Sequence, residues 1–183
     1  YIDSAPVAVT TLSGDYRLLA KHSLKALDVA GSGTEDGTNV IQYRTNASDA
    51  QVWNFQHQGN GIYALQSRVS GKYLDVSWGS ADDGASVWTW TGNGGLAQQW
   101  RVEDLGDGHF RLIAQCSGKA LDVAGASTND GADVIQYHWW GGNAQRWKIE
   151  RVGQPVTTLS GNYRLENIHS GKVLDVAGAS TAD

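Results

Sequence analysis

The chain has 183 residues, of which 18 % are charged, and a formal net charge of −5. That acidic balance excludes the basic footprint by which a domain would hold nucleic acid or an anionic membrane. No apolar run reaches the ~20 residues of a membrane span, and the single cysteine, Cys116, leaves no internal disulfide and reads as a small core filler.

In chain order, Tyr16-Arg17-Leu18-Leu19-Ala20 alternates apolar and polar residues in its first part, which predicts a half-buried strand. Ala26-Leu27-Asp28-Val29 predicts a second strand. A polar, Gly-rich loop over residues 30–39 follows, and its Asp36-Gly37 dipeptide suits positive φ. Val40-Ile41-Gln42-Tyr43 and Gln51-Val52-Trp53-Asn54-Phe55 predict the third and fourth strands. No segment sustains a 3.6-residue apolar period, so no long helix is expected.

This set recurs at a fixed interval of 47 residues. Leu27-Asp28-Val29 returns as Leu74-Asp75-Val76 and Leu121-Asp122-Val123, and Trp53 as Trp100 and Trp147. Tyr16, Tyr63 and Phe110 match, as do Leu18, Leu65 and Leu112, and Val40, Val87 and Val134. Lys25, Lys72 and Lys119, and the pairs beginning at Asp36, Asp83 and Asp130, align without a gap. Each copy is therefore one structural unit that cannot bury its apolar face alone. Three units of four short strands fit a closed barrel with pseudo-threefold symmetry. A propeller needs more blades, and a β-sandwich gives no reason for threefold repetition.

A fourth copy begins at Gly161, Tyr163 and Leu165 and continues through Leu174-Asp175-Val176 to Asp183, which aligns with Asp130. Its lead-in from Pro155 echoes the stretch from Pro6, as if a second three-copy domain were starting. The expected organisation is a leader over 1–13, a domain over 14–151 with repeats at about 14–60, 61–107 and 108–151, and a linker with the start of a further repeat over 152–183. Val173, Leu174 and Val176 lack the partner strands of the other copies, so tail-mediated self-association is one expectation. Asp175 lacks an aromatic partner and is not expected to form a site.

The run from Gly118-Lys119-Ala120-Leu121-Asp122-Val123 to Asp130-Gly131, followed by Val134-Ile135-Gln136-Tyr137 and Gln145-Arg146-Trp147, resembles a ricin B-type lectin repeat. Three such Gln-x-Trp repeats imply an all-β protein, a β-trefoil of three four-stranded repeats, like the family 13 carbohydrate-binding modules attached to bacterial glycoside hydrolases. Residues 14–151 carry the resemblance, and 161–183 resemble the start of another repeat.

Sugar recognition needs a flat apolar face and a few fixed hydrogen-bonding groups. In each copy an Asp is followed 15 residues later by a large aromatic: Asp28 with Tyr43, Asp75 with Trp90 and Asp122 with Tyr137. By the resemblance, the Asp accepts bonds from sugar hydroxyls and the aromatic stacks on the ring. Asn46, Asn93 and Trp140 occupy the next polar position, and Gln51, Gln98 and Gln145 brace the site. Where the family has an Asn before that Gln, this chain has Ala50, Ala97 and Ala144. Asn143 and Asp49, one position earlier, are candidate substitutes in their copies. The family's Gln two residues before the aromatic is replaced by Ile41, Trp88 and Ile135; strand alternation turns the adjacent Gln42 and Gln136 to the other face.

Other readings stay beside these. An Asp between two apolar strand residues can also bond nearby backbone N–H groups. Asp36, Asp83 and Asp130 read as turn residues rather than calcium ligands, because the loops lack further alternating oxygen ligands. Trp53, Trp100 and Trp147 read as core. Trp78, Trp88 and Trp90, with Trp139-Trp140, read as exposed aromatic platforms.

A glycoside hydrolase needs two carboxylates roughly 5–9.5 Å apart, whereas these Asp residues are spread one per repeat. The five His show no zinc-ligand spacing. The expectation is a non-catalytic binder without cofactor or metal, taking galactose- or xylose/arabinose-type residues at up to three sites, secreted, and targeting an attached glycoside hydrolase. The alternative is a trefoil used for protein contacts or inhibition.

Overall fold

The computed structural model describes residues 6–153. The expectations for the fourth copy, its self-association and Asp175 lie outside the described residues. Each repeat folds into four strands. The first lobe has β2 (Gly14–Ala20), β3 (Ala26–Val29), β4 (Thr38–Tyr43) and β5 (Trp53–Gly59), preceded by a short β1 (Val7–Ala8). The second has β6 (Ile62–Ser67), β7 (Tyr73–Val76), β8 (Val87–Trp90) and β9 (Trp100–Asp104). The third has β10 (Phe110–Ala114), β11 (Ala120–Val123), β12 (Ala132–Tyr137) and β13 (Trp147–Arg151).

The outer strands of the lobes close a ring. β2 pairs β5, β5 pairs β6, β6 pairs β9, β9 pairs β10, β10 pairs β13 and β13 returns to β2, all antiparallel. The inner hairpins β3–β4, β7–β8 and β11–β12 form a second layer. Its members touch through β4–β12, β4–β8 and the bridge from Ser86 to Ile135. A six-stranded barrel under a three-hairpin cap is the β-trefoil the repeats predict.

The repeated apolar positions converge. Leu18, Leu27, Val29, Val40 and Trp53, with their equivalents in the other two lobes, are all fully buried. Each Trp also buries its one donor with a partner: the indole N–H groups of Trp53, Trp100 and Trp147 donate to the Leu27, Leu74 and Leu121 carbonyls at 3.1, 3.0 and 3.1 Å. At ~25 cal/mol per Å² over the ~150–250 Å² a Trp buries, each contributes about 4–6 kcal/mol before entropy is counted. Cys116 packs partly buried against this core, and burial pushes its thiol up from the ordinary value.

Two expectations change. Within the presumed leader, Val7–Ala8 pairs onto β9, Val9 N–H bonds the Val102 carbonyl at 2.9 Å, and Tyr63 Oη donates to the Val9 carbonyl at 3.1 Å. The leader therefore supplies a strand to the trefoil. The fourth predicted strand starts two residues later than expected, because Gln51, Gln98 and Gln145 end one-turn 3₁₀ helices at Asp49–Gln51, Leu96–Gln98 and Asn143–Gln145. Those turns aim the amides inward.

The Asp-Gly pairs do more than turn the chain. Asp36 of the first lobe accepts from Lys72 Nζ at 2.7 Å and from the Thr91 N–H at 2.6 Å in the second. Asp83 of the second accepts from Lys119 Nζ at 2.8 Å and the His138 N–H at 2.7 Å in the third. Asp130 of the third accepts from Lys25 Nζ and from the Arg44 N–H at 2.9 Å in the first. The lobes are thus latched in a cycle, and the following Gly37, Gly84 and Gly131 take φ of 82°, 84° and 83°. The Lys119 bond, with those from His138, pulls the Asp83 carboxyl down to about 2. Among the described residues, no group of three His, Cys, Asp or Glu is placed to hold a metal.

Gln42 and Gln136 face away from their lobes' Asp, as strand alternation requires, and serve the same cycle. Gln42 Nε2 donates to the Ser127 and Asn129 carbonyls at 2.6 and 2.9 Å, and Gln136 Nε2 to those of Ser80 and Asp82 at 2.7 and 3.0 Å. The equivalent residue in the second lobe is Thr89, too short to reach, and its buried Oγ1 has no partner. The first-to-second seam is therefore the least bonded of the three at this position.

Candidate functional site

Each lobe holds its Asp at the middle of the second strand, flanked by the two core residues that pin the backbone. Asp28, Asp75 and Asp122 are each only 5 % exposed. In the first lobe Gln51 Nε2 donates to Asp28 Oδ2 at 2.7 Å and to the Arg44 carbonyl at 2.8 Å, while Gln51 Oε1 accepts the Asn46 N–H at 3.1 Å. One fully buried amide thereby fixes the carboxylate and the loop carrying Asn46. Asn46 Oδ1 caps the Ser48 N–H at 3.0 Å, which leaves its Nδ2 donors available to a ligand. Asp28, Tyr43, Asn46, Ile41 and Ala50 line one cleft of about 240 Å³.

The second lobe repeats the plan with more indole. Gln98 donates to the Thr91 carbonyl at 3.0 Å and accepts the Asn93 N–H at 2.9 Å, and Asn93 Oδ1 accepts the Gly95 N–H at 2.8 Å. Trp88, at the position where the family has an orienting Gln, donates from Nε1 to Asp75 Oδ1 at 2.9 Å. Trp88 and Trp90 stack with centroids 5.0 Å apart, and Trp78 packs edge-on against Trp88 at 5.3 Å. Asp75, Trp78, Trp88, Trp90, Asn93 and Ala97 line a cleft of about 230 Å³. Trp78 is 84 % exposed and has φ of 58°, where the other lobes place Gly31 and Gly125. A bulky residue in left-handed backbone is strained, and here its ring lies against Trp88 and Trp90 while most of it stays in solvent.

In the third lobe Gln145 Nε2 donates to Asp122 Oδ2 at 2.8 Å and to the His138 carbonyl at 2.8 Å, and its Oε1 accepts the Trp140 N–H at 2.9 Å. Trp140 Nε1 reaches the same Asp122 Oδ2 at 3.4 Å, and its indole lies over Gly142 so closely that any Cβ there would clash. Trp140 is thus a donor beside the carboxylate as well as an exposed face. Tyr137 is half-buried and tilted against His138, with centroids 4.6 Å apart. Asn143 is exposed at the head of its 3₁₀ turn. Its first-lobe counterpart, Asp49, sits 3.3 Å from Arg68 Nε, so that position faces the neighbouring hairpin rather than the cleft.

Burial holds all three carboxyls above the ordinary value of 3.8. Opposing it are bonds from Gln51 on Asp28, from Trp88 and Gln98 on Asp75, and from Gln145 and Trp140 on Asp122. Each carboxyl is held in place beside the aromatic residue of its lobe by these bonds. Ala50 and Ala97, where the family has Asn, line the clefts as apolar wall rather than as donors. Trp88 joins the site beyond the Asp and aromatic pairs expected from the sequence; its signal there is its place two residues before Trp90, on the same strand face.

None of the curated proteins matches the chain. Among solved structures, a designed threefold-symmetric protein, ThreeFoil, is 52 % identical with a TM-score of 0.75, the match covering 76 % of this chain and 99 % of that one. The exo-β-1,3-galactanase 1,3Gal43A from Clostridium thermocellum is 33 % identical with a TM-score of 0.74, over 79 % of this chain and 31 % of the enzyme. A ricin B-like lectin from Macrolepiota procera, solved with lactose, is 25 % identical with a TM-score of 0.67, over 78 % of this chain and 99 % of the lectin. The family model described as "Ricin-type beta-trefoil lectin domain-like" matches residues 49–137 and 96–183. With the barrel, the cap and the Gln-x-Trp anchors in place, the chain belongs to the ricin-type β-trefoil lectin domain-like family.

Proposed function

We propose that this chain is a non-catalytic carbohydrate-binding module that takes galactose- or xylose/arabinose-type residues at up to three sites. The observation that carries the reading is the first-lobe cleft, where Asp28, clamped by Gln51, shares one wall system with the Tyr43 ring and the Asn46 amide. A fixed acceptor, a flat face and a spare donor are what a pyranose or furanose presents partners for. A module built for protein contacts would be supported by Asp and aromatic groups that point apart, and here they line common clefts in the first two lobes. The lactose-bound lectin supports the sugar class.

The three sites are unequal. Asp28 carries no indole donor, Asp75 is held by Trp88, and Asp122 by Trp140. Modest single-site affinities add on a polymer, because one bound unit raises the local concentration of the next to the order of mM. The likeness to a segment covering 31 % of a galactanase supports a role as the targeting appendage of an attached glycoside hydrolase. Calorimetry with galactose, xylose, arabinose, galactan and xylan tests the reading, with Asp28→Ala, Asp75→Ala and Asp122→Ala assigning the heat to lobes. A folded protein that gives no heat with any of them refutes it.

A further inference from the structure

A cavity of about 490 Å³, twice the size of the first-lobe cleft, opens where the first and second lobes meet. Its lining residues carry no formal charge. Gln56 and Gln58 of β5 face Gln99 and Tyr73 of the second lobe across it. The amides are held in order: Tyr73 Oη donates to Gln56 Oε1 at 3.3 Å, Gln56 Nε2 to Gln66 Oε1 at 2.9 Å, and Gln66 Nε2 to the Gly71 carbonyl at 2.7 Å. Gln99 Nε2 is fixed on the Gly94 carbonyl at 3.0 Å.

The pseudo-threefold axis shows why the space exists. One repeat on, Gln56, Ala64, Gly92 and Gln99 correspond to Glu103, Arg111, Trp139 and Arg146. There the Arg111 guanidinium lies over the Trp139 ring at 4.9 Å, Arg146 approaches the same ring at 5.8 Å, and Arg111 is ion-paired to Glu103. An Arg–Trp–Arg plug fills the second seam. At the first seam, Ala64 and Gly92 remove the plug and Gln99 replaces a cation with an amide.

This cleft adjoins the second-lobe site. Gly92 and Gly94 line it, while Asn93 between them lines the Asp75–Trp90 cleft. Tyr73 on its wall pairs across the β7–β8 ladder with Trp90. Resting on the carbohydrate reading above, we propose that the amide cleft is a second subsite of the second lobe, holding the next neutral sugar unit of a chain whose neighbouring unit lies on Asp75 and Trp90. Uncharged amides offer both donors and acceptors to hydroxyls and give a charged group no ion pair. The volume falls within the ~300–1,000 Å³ of small-ligand sites. The second lobe then reads a stretch of glycan rather than a single unit.

The test compares xylose and galactose with xylotriose and β-1,3-galactotriose on the whole chain. Ala64→Arg refills the cleft with the residue found in the third lobe, and Gln56→Ala removes an amide while leaving the space. The wild type is expected to bind a trisaccharide about tenfold more tightly than its monosaccharide, the worth of one or two neutral hydrogen bonds. Both variants are expected to lose that gain and to keep monosaccharide affinity. The side-chain amide NMR signals of Gln56 and Gln99 should move with the trisaccharide and not with the monosaccharide. A gain that survives in both variants, or amide signals that stay still, overturns the subsite alone. A folded wild type that binds no monosaccharide instead overturns the lobe reading on which it rests.

Discussion

Replacing Gln51 by leucine would remove a clamp while keeping most of its volume. Three bonds go: a charge-assisted one to Asp28 and neutral ones to the Arg44 carbonyl and the Asn46 N–H. At about 1.5–3 kcal/mol for the first and about 1 kcal/mol for each of the others, the gross loss is about 3.5–5 kcal/mol. The leucine methyls regain ~1–2 kcal/mol of apolar burial, so the net cost is about 1.5–4 kcal/mol. For a domain of this size that lowers Tm by about 5–15 °C, read by circular dichroism melting. Gln98→Leu should cost less, because Trp88 still holds Asp75. First-lobe sugar binding should also vanish, as Asp28 loses its fixed orientation. If Gln51→Leu melts within ~2 °C of the wild type and binds sugar unchanged, the clamp does not organise the site.

Acid should abolish binding before it abolishes the fold. Asp28, Asp75 and Asp122 have pKa values raised above 3.8 by burial, so their ionised forms destabilise the fold, and that cost disappears as pH falls. On the proposed reading the ionised carboxylate is the sugar's acceptor, so binding should be lost as these groups take up their protons. The Asp83 latch is the reverse case: lowered to about 2, it contributes stability above 3.8 that is lost as pH falls toward 2. Parallel calorimetry and fluorescence across an acid titration should show the folded, non-binding state first; simultaneous loss would contradict the assignment. Trp78→Gly relieves ~1–2 kcal/mol of left-handed strain against ~0.4–1 kcal/mol of glycine entropy and some edge packing. Its stability should change little while second-lobe affinity falls, and unchanged affinity would mean the exposed indole is not part of the platform. Thr89→Gln gives the second lobe the arm that Gln42 and Gln136 provide, aimed at the Gly33 and Glu35 carbonyls with Ser70 as donor; melting should show a gain of about 1–2 kcal/mol, and a loss would show that the seam has no room.

Much of this molecule is legible along the chain. The repeat interval alone separates the residues that meet on the axis, such as Leu27 and Trp53, from the Asp and aromatic residues that do not need to be buried together. It also reads correctly that Gln42 turns from the site, because alternation along a strand is a local property. The turn that aims Gln51 inward was harder: a single 3₁₀ turn has no periodic signature, so Gln51 reads as strand. Trp88 stands out along the chain as the indole two residues before Trp90, but its hydrogen bond to Asp75 depends on the spacing of two strands.

What closure decided is everything that joins one lobe to another. Asp36 looks like a turn residue because its neighbour is Gly37; its bonds to Lys72 and Thr91 exist only once the second lobe lies against the first. Val7–Ala8 carries no strand pattern long enough to read, yet β9 offers it an edge. The amide cleft is the sharpest case, since Ala64 and Gly92 are unremarkable until the threefold axis sets them where Arg111 and Trp139 plug the next seam. A repeated sequence determines what each unit must bury. The differences between copies acquire meaning only when packing brings residues distant in the chain into contact.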